Sequence, residues 1–166
     1  MKPVIDVAIQ AKHWECLKSP AELAESAIIA AVQESSISLP EVSEISVLFC
    51  DDAFIRQLNC RWRGLDRPTN VLSFPAAINA ASAGLLGDIV IAFETAAKEA
   101  AAAGIPLRDH AARLLIHGFL HLTGHDHAES ADAEAMEIAE RAAMGRLGIA
   151  DSYRLKLTEE TASTNE

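Results

Sequence analysis

No run of about 18 uncharged apolar residues occurs in the 166-residue chain, so no membrane-spanning helix is expected. Cysteine is scarce and unpatterned. Cys16, Cys50 and Cys60 form no CxxC pair. An odd, scattered count suits a reducing cytoplasm and buried thiols. The amino-terminal stretch reaches Asp6 before any long apolar segment, so no secretory signal is expected. No self-similar period is present, which excludes a repeat array. Aromatics are 5% of residues, with one Tyr, two Trp and five Phe. They are too few and too scattered to announce a base-stacking platform. Positive charge is also short: 14 Lys and Arg stand against 24 Asp and Glu, for a net charge of −10. Taken alone, that argues against a nucleic-acid surface.

What is present is an ordinary globular composition, 50% apolar and 23% charged. A chain near 150 residues buries roughly 68–70% of its unfolded surface, so a core needs neither metal nor disulfide staples. We expect one domain over residues 1–155 and a polar, disordered tail over 156–166. The charge is unevenly spread. Six acids and no Lys or Arg lie between Asp126 and Glu140, whereas Arg56, Arg61, Arg63 and Arg67 face only Asp66 in their segment. A local basic patch therefore survives. The acidic helix reads as a solvated face that would repel RNA and attract a basic protein.

Hydrophobic periodicity predicts strands over 4–9, 44–50, 71–74 and 87–93. Helices are expected over about 20–35, 52–61, 94–103, 107–123 and 130–147. Pro20 suits a first helical position, and Gly104, Gly124 and Gly148 suit helix ends. Residues 76–84 read as a mobile loop. The order does not alternate as a Rossmann sheet does. We expect an α+β fold, a small mixed sheet of about four strands packed with about five helices.

The chemistry concentrates in HGFLHLTGHDH, residues 117–127, which holds four of the six histidines. His117 and His121 lie about 40° apart around a helix, one turn apart on one face. That spacing lets two imidazoles hold one metal ion. Gly124 lets the chain turn back, so that His127 becomes the third ligand. Three His with an open fourth position describe a catalytic Zn²⁺ site, one ion per chain, at which the pKa of a bound water falls toward ~7. His125 fits no ligand slot, and Asp126 is an orienting carboxylate or a surface acid. His13 and His110 have no partners in sequence. The spacing H-x-x-x-H-x-x-G-x-x-H is also that of metzincin peptidases, which carry a Glu base directly after the first His. Gly118 stands there instead, and peptide hydrolysis loses its proton acceptor.

HGFLHLTGHDH, together with LNCRWRGLDRPTNVLSFP (58–75) and LLGDIVI (85–91), resembles the YbeY family of bacterial zinc-dependent endoribonucleases. The resemblance covers residues 44–148, with three motifs in the family's order. It implies a zincin-like metal cradle of His117, His121 and His127. It also implies Arg63 as the functional arginine. Many family members have Tyr at the position of Trp62, and Asp is also common at that of Asn70. The implied activity is cleavage of single-stranded RNA, in maturation of the 3′ end of the small-subunit ribosomal RNA and in ribosome quality control. Ribosomal proteins are basic, so the acidic helix makes a basic small-subunit ribosomal protein the expected partner. The physical chemistry agrees, because a guanidinium grips two oxygens of a phosphodiester gaining negative charge. Arg61, Asn70 and Ser73 are candidate substrate-binding residues, Arg56 and Arg67 candidate steering charges. Strand 71–74 is the expected cleft wall. Two alternatives stand beside this: a non-catalytic assembly factor with a structural metal, and a metallohydrolase of another substrate.

Overall fold

The computed structural model describes residues 2–77, 83–124 and 130–149, with side chains from 133 onward in the last segment. The expected tail, most of the expected mobile loop, and His125, Asp126 and His127 lie outside the described residues. The elements are β1 (Val4–Ile9), a 3-10 turn (Lys12–Cys16), α1 (Pro20–Glu34), β2 (Glu44–Cys50), α2 (Asp52–Arg63) and β3 (Val71–Pro75). Then follow β4 (Leu85–Ala92), α3 (Phe93–Ala103), α4 (Leu107–Leu122) and α5 (Ser130–Arg146). The four strands form one mixed sheet in the order β1-β2-β4-β3. The first three are parallel, and β3 runs antiparallel to β4 at the edge. The expected α+β class and element count hold.

Alternation along the strands sends Ile45, Val47, Phe49, Ile89 and Ile91 to one face, where they meet α1, α4 and α5 in the main core. Among the described residues the opposite face is covered only in part. There α2 packs Ile55 against Cys50, Leu72, Val90 and Ala92. Burial in this second cluster pushes the Cys50 thiol up to about 12, helped by the charges of Asp51, Asp52 and Glu94. Cys50 is buried as expected, whereas Cys16 and Cys60, also expected to be buried, are exposed.

Helix starts are tied to one another. The Asp51 carboxylate caps α2 by accepting from Phe54 N at 2.8 Å. The Asp52 backbone N–H donates to Glu94 Oε2 at 2.6 Å, and Asp52 in turn accepts from Thr95 N at 3.0 Å and Thr95 Oγ1 at 2.8 Å. Each helix thus supplies a cap to the other, although they start 41 residues apart in sequence (Asp52 and Phe93). Several boundaries differ from expectation, among them β3, which includes Pro75, and α2, which runs on to Arg63. The 3-10 turn is additional, and it buries Trp14 edge-on to Phe49 and Phe93. Phe93 therefore opens α3 instead of closing the strand. β4 starts at Leu85, because Gly87 sits inside the strand and not before it. A Cβ at Gly87 would collide with the Phe74 carbonyl oxygen, so glycine here allows β3 and β4 to approach.

Candidate metal and phosphate cleft

α4 is the central element of the site. Nearly all of its residues from His110 to Leu122 are buried, and it crosses β3 and β4. Gly118 is the point of closest approach. Its missing Cβ would lie 3.0 Å from Ile89 Cγ2 and 3.1 Å from Ser73 Oγ. The Ser73 hydroxyl donates to the Gly118 carbonyl oxygen at 2.8 Å, tying helix to strand. Position 118 thus faces the sheet, and a peptidase-type Glu would be driven into it. Gly118→Ala would gain about 1 kcal/mol of helix propensity and lose about 1–3 to overpacking against β-branched neighbours. We expect a net loss near 1 kcal/mol, about 2–4 °C in Tm, which thermal melting checks. A Tm at or above the native value would mean that β3 yields freely.

With Gly118 against the sheet, His117 and His121 fall at the β3 edge of α4. They line a cavity of about 280 Å³ together with Arg63, Asn70, Ser73 and Glu140. The two imidazoles lie at 74°, and their Nε2 atoms are 3.0 Å apart. Two nitrogens on one tetrahedral zinc at ~2.0–2.1 Å each would be roughly 3.3 Å apart. The pair therefore fits a shared metal ion within a few tenths of an ångström. No group of three His, Cys, Asp or Glu gathers around an ion-sized space among the described residues, and His127 lies outside them.

Behind His117 stands Glu140 of α5, which the charge pattern places on a solvated acidic face. It is buried. Its Oε2 lies 3.6 Å from His117 Nδ1 and its Oε1 2.7 Å from Arg113 Nε. Burial pushes the Glu140 carboxyl up, but the adjacent His117 and Arg113 outweigh it and hold it below the ordinary carboxylate range. One signal was available in the sequence. Met136, Ala139, Ala143 and Met144 are the buried stripe of α5, and Glu140 falls on that stripe. A carboxylate on the far nitrogen fixes the tautomer and direction of a ligating imidazole. Glu140→Ala should weaken zinc binding roughly 10–100-fold in chelator competition. Unchanged affinity would reduce Glu140 to a packing role.

Asn70 opens β3 with its amide orientation set. Its Oδ1 accepts from Val71 N at 2.7 Å, and its Nδ2 donates to Glu99 Oε2 at 3.1 Å. The other Glu99 oxygen meets the fully buried His110 Nε2 at 3.2 Å. His110, without a partner in sequence, thus has one in space. Asn70 keeps one amide N–H for a ligand. Ser73 has spent its proton on Gly118 and can only accept. Of the other arginines, Arg56 forms a two-point contact with Asp66 at 2.8 and 3.2 Å. Arg61 lies over the Trp62 ring at 5.3 Å, off the cleft.

Comparison with known proteins agrees with this architecture. The family profile described as endoribonuclease YbeY matches residues 8–148. A protein of Methylocella silvestris named endoribonuclease YbeY is 56% identical over 154 residues, 93% of this chain and 88% of its own length. One from Beijerinckia indica with the same name is 51% identical over 160 residues, covering 92% of this chain and 78% of the other. The solution structure of a Thermotoga maritima protein shares the fold, with a TM-score of 0.55 at 23% identity over 87% of this chain and 91% of that one.

Proposed function

The chain belongs to the endoribonuclease YbeY family, and on that footing we propose that it cuts single-stranded ribosomal RNA at the cleft between β3 and α4. The observation that carries this reading is the presence of Arg63 on the same cavity as the paired His117 and His121. His117 and His121, with His127, are the residues that would hold Zn²⁺. When bound, that ion would polarise a phosphoryl oxygen or a water.

The chain's own residues do the rest. The Arg63 guanidinium, always charged, takes two non-bridging oxygens of the scissile phosphate and offsets the negative charge that develops there. The remaining Asn70 N–H is a third donor on the same cavity. The Ser73 oxygen is left to accept from a ribose hydroxyl. Glu140 and Arg113 keep His117 oriented, and they do so as a charge-compensated pair that adds no net negative field against phosphate.

Maturation of the small-subunit ribosomal RNA 3′ end and ribosome quality control are the setting we propose, in the cytoplasm. Among the described residues no helix is long and apolar enough to cross a membrane. With a net charge of −10, affinity for RNA leans on a local basic edge and on partners. A basic small-subunit ribosomal protein is the partner proposed for the exposed acids of α5, such as Glu134. The function is tested by incubating purified protein with single-stranded and duplex RNA, before and after chelation and zinc re-addition. Cleavage of single strands that chelation stops and zinc restores is the expected result. Intact RNA under all conditions would leave an assembly role.

A further inference from the structure

We propose that the exposed indole of Trp62 is a stacking subsite for a nucleobase of the RNA whose phosphate occupies the Arg63–His117–His121 cleft. The inference rests on the endoribonuclease reading and adds to it a contact to the base.

Among the described residues six large apolar side chains stand open to water, and Trp62, 62% exposed, is the one aromatic among them. It is held in place. Its ring meets the edge of Phe74 at 6.3 Å and 61°, and the Arg61 guanidinium sits 5.3 Å from its centroid. Twelve residues of sequence separate Trp62 from Phe74, so the aromatic pair exists only in the fold. A braced indole with a guanidinium over its ring is a platform for any base, since every base has a π-face and both groups stack on it.

Position connects this platform to the cleft. Trp62 and Arg63 are successive residues in the last turn of α2. Arg63 lines the histidine cavity, whereas Trp62 lines a mainly apolar groove of about 630 Å³ on the opposite side of β3. Pro75, at the end of β3, lines both. The edge strand is thus a low ridge with a phosphate-binding side and a stacking side. A flexible single strand crosses it with a phosphate at Arg63 and a neighbouring base on Trp62. A paired base stays in its helix and cannot reach the indole, so the subsite selects unpaired RNA. The groove beyond also carries Asp6 and Asp88, which would suit a basic peptide instead. The guanidinium against Trp62 and the ridge shared with the cleft favour RNA.

The test measures equilibrium binding of the zinc-loaded protein to a short 2′-O-methyl oligoribonucleotide and to the same backbone carrying abasic sugars. Trp62→Ala should weaken the base-bearing strand roughly 5- to 100-fold, and Trp62→Phe should stay near native. The abasic strand should bind native protein and Trp62→Ala alike. Trp14 is buried, so quenching of the exposed indole by the base-bearing strand reports stacking directly. Equal loss with both strands would make the effect one of backbone or fold and overturn the subsite. So would unchanged oligonucleotide binding with weakened binding of an Arg-rich peptide, which would make the groove a protein dock. Native protein that cuts RNA while Trp62→Ala binds it normally overturns the subsite alone. Native protein that neither binds nor cuts RNA overturns the enzyme reading and the subsite together.

Discussion

Replacing His117 and His121 together by alanine should leave the protein without bound metal and reduce RNA cleavage to background. Both side chains are half-buried at the rim of α4, and their Nε2 atoms converge at 3.0 Å. Two imidazoles placed so closely are costly unless a proton or a cation lies between them. Removing both relieves that crowding but leaves the buried Glu140 with Arg113 alone, so the variant should stay folded and melt at a lower temperature. Elemental analysis of protein purified without added metal should find about one zinc per native chain and none in the double variant. Circular dichroism should be unchanged. Native protein that folds and carries no metal would remove the catalytic reading at its root. A variant that keeps its zinc would move the metal to another part of the chain.

Arg63→Ala should reduce the cleavage rate roughly 10²- to 10³-fold, the usual cost of losing one charge-stabilising donor in a transition state. Zinc content should not change, because Arg63 lies on the cavity through α2 and the histidines through α4. Arg63→Lys should recover only part of the rate, since an ammonium offers a point charge where a guanidinium offers a planar fork. Arg63 is exposed, so stability should move little. Zinc loss in Arg63→Ala would mean that the arginine acts on the metal site's architecture instead. A rate within threefold of native would pass the phosphate contact to another donor, with Asn70 the next candidate on the same cavity.

Much of the site was legible in one dimension. The spacing of His117 and His121, one helical turn apart, places both rings on one face of any helix. Arg63 and the strand 71–74 were tied to the histidines by the family motifs that hold all three. Gly118 was visible as the absence of a peptidase base, though not as a packing requirement. Glu140 was misread because five further acids surround it in sequence, and charge composition outweighed the apolar stripe on which it falls. Trp62 and Phe74 looked scattered because a twelve-residue separation has no meaning until α2 folds back against β3.

The sequence by itself determined the local facts: the main helices and strands, and two imidazoles on one helix face, because helical period and turn chemistry act over a few residues. Only the tertiary structure decided which face of α4 meets the sheet, and that choice sends Gly118 inward and the histidines to the cleft. It also decided that Glu140 stands behind His117, that Glu99 joins Asn70 to His110, and that the edge strand separates the Arg63–histidine cavity from the Trp62 groove. Each of these depends on contacts between segments distant in sequence. Burial and charge pairing are properties of that assembled neighbourhood, and no single stretch of chain carries them.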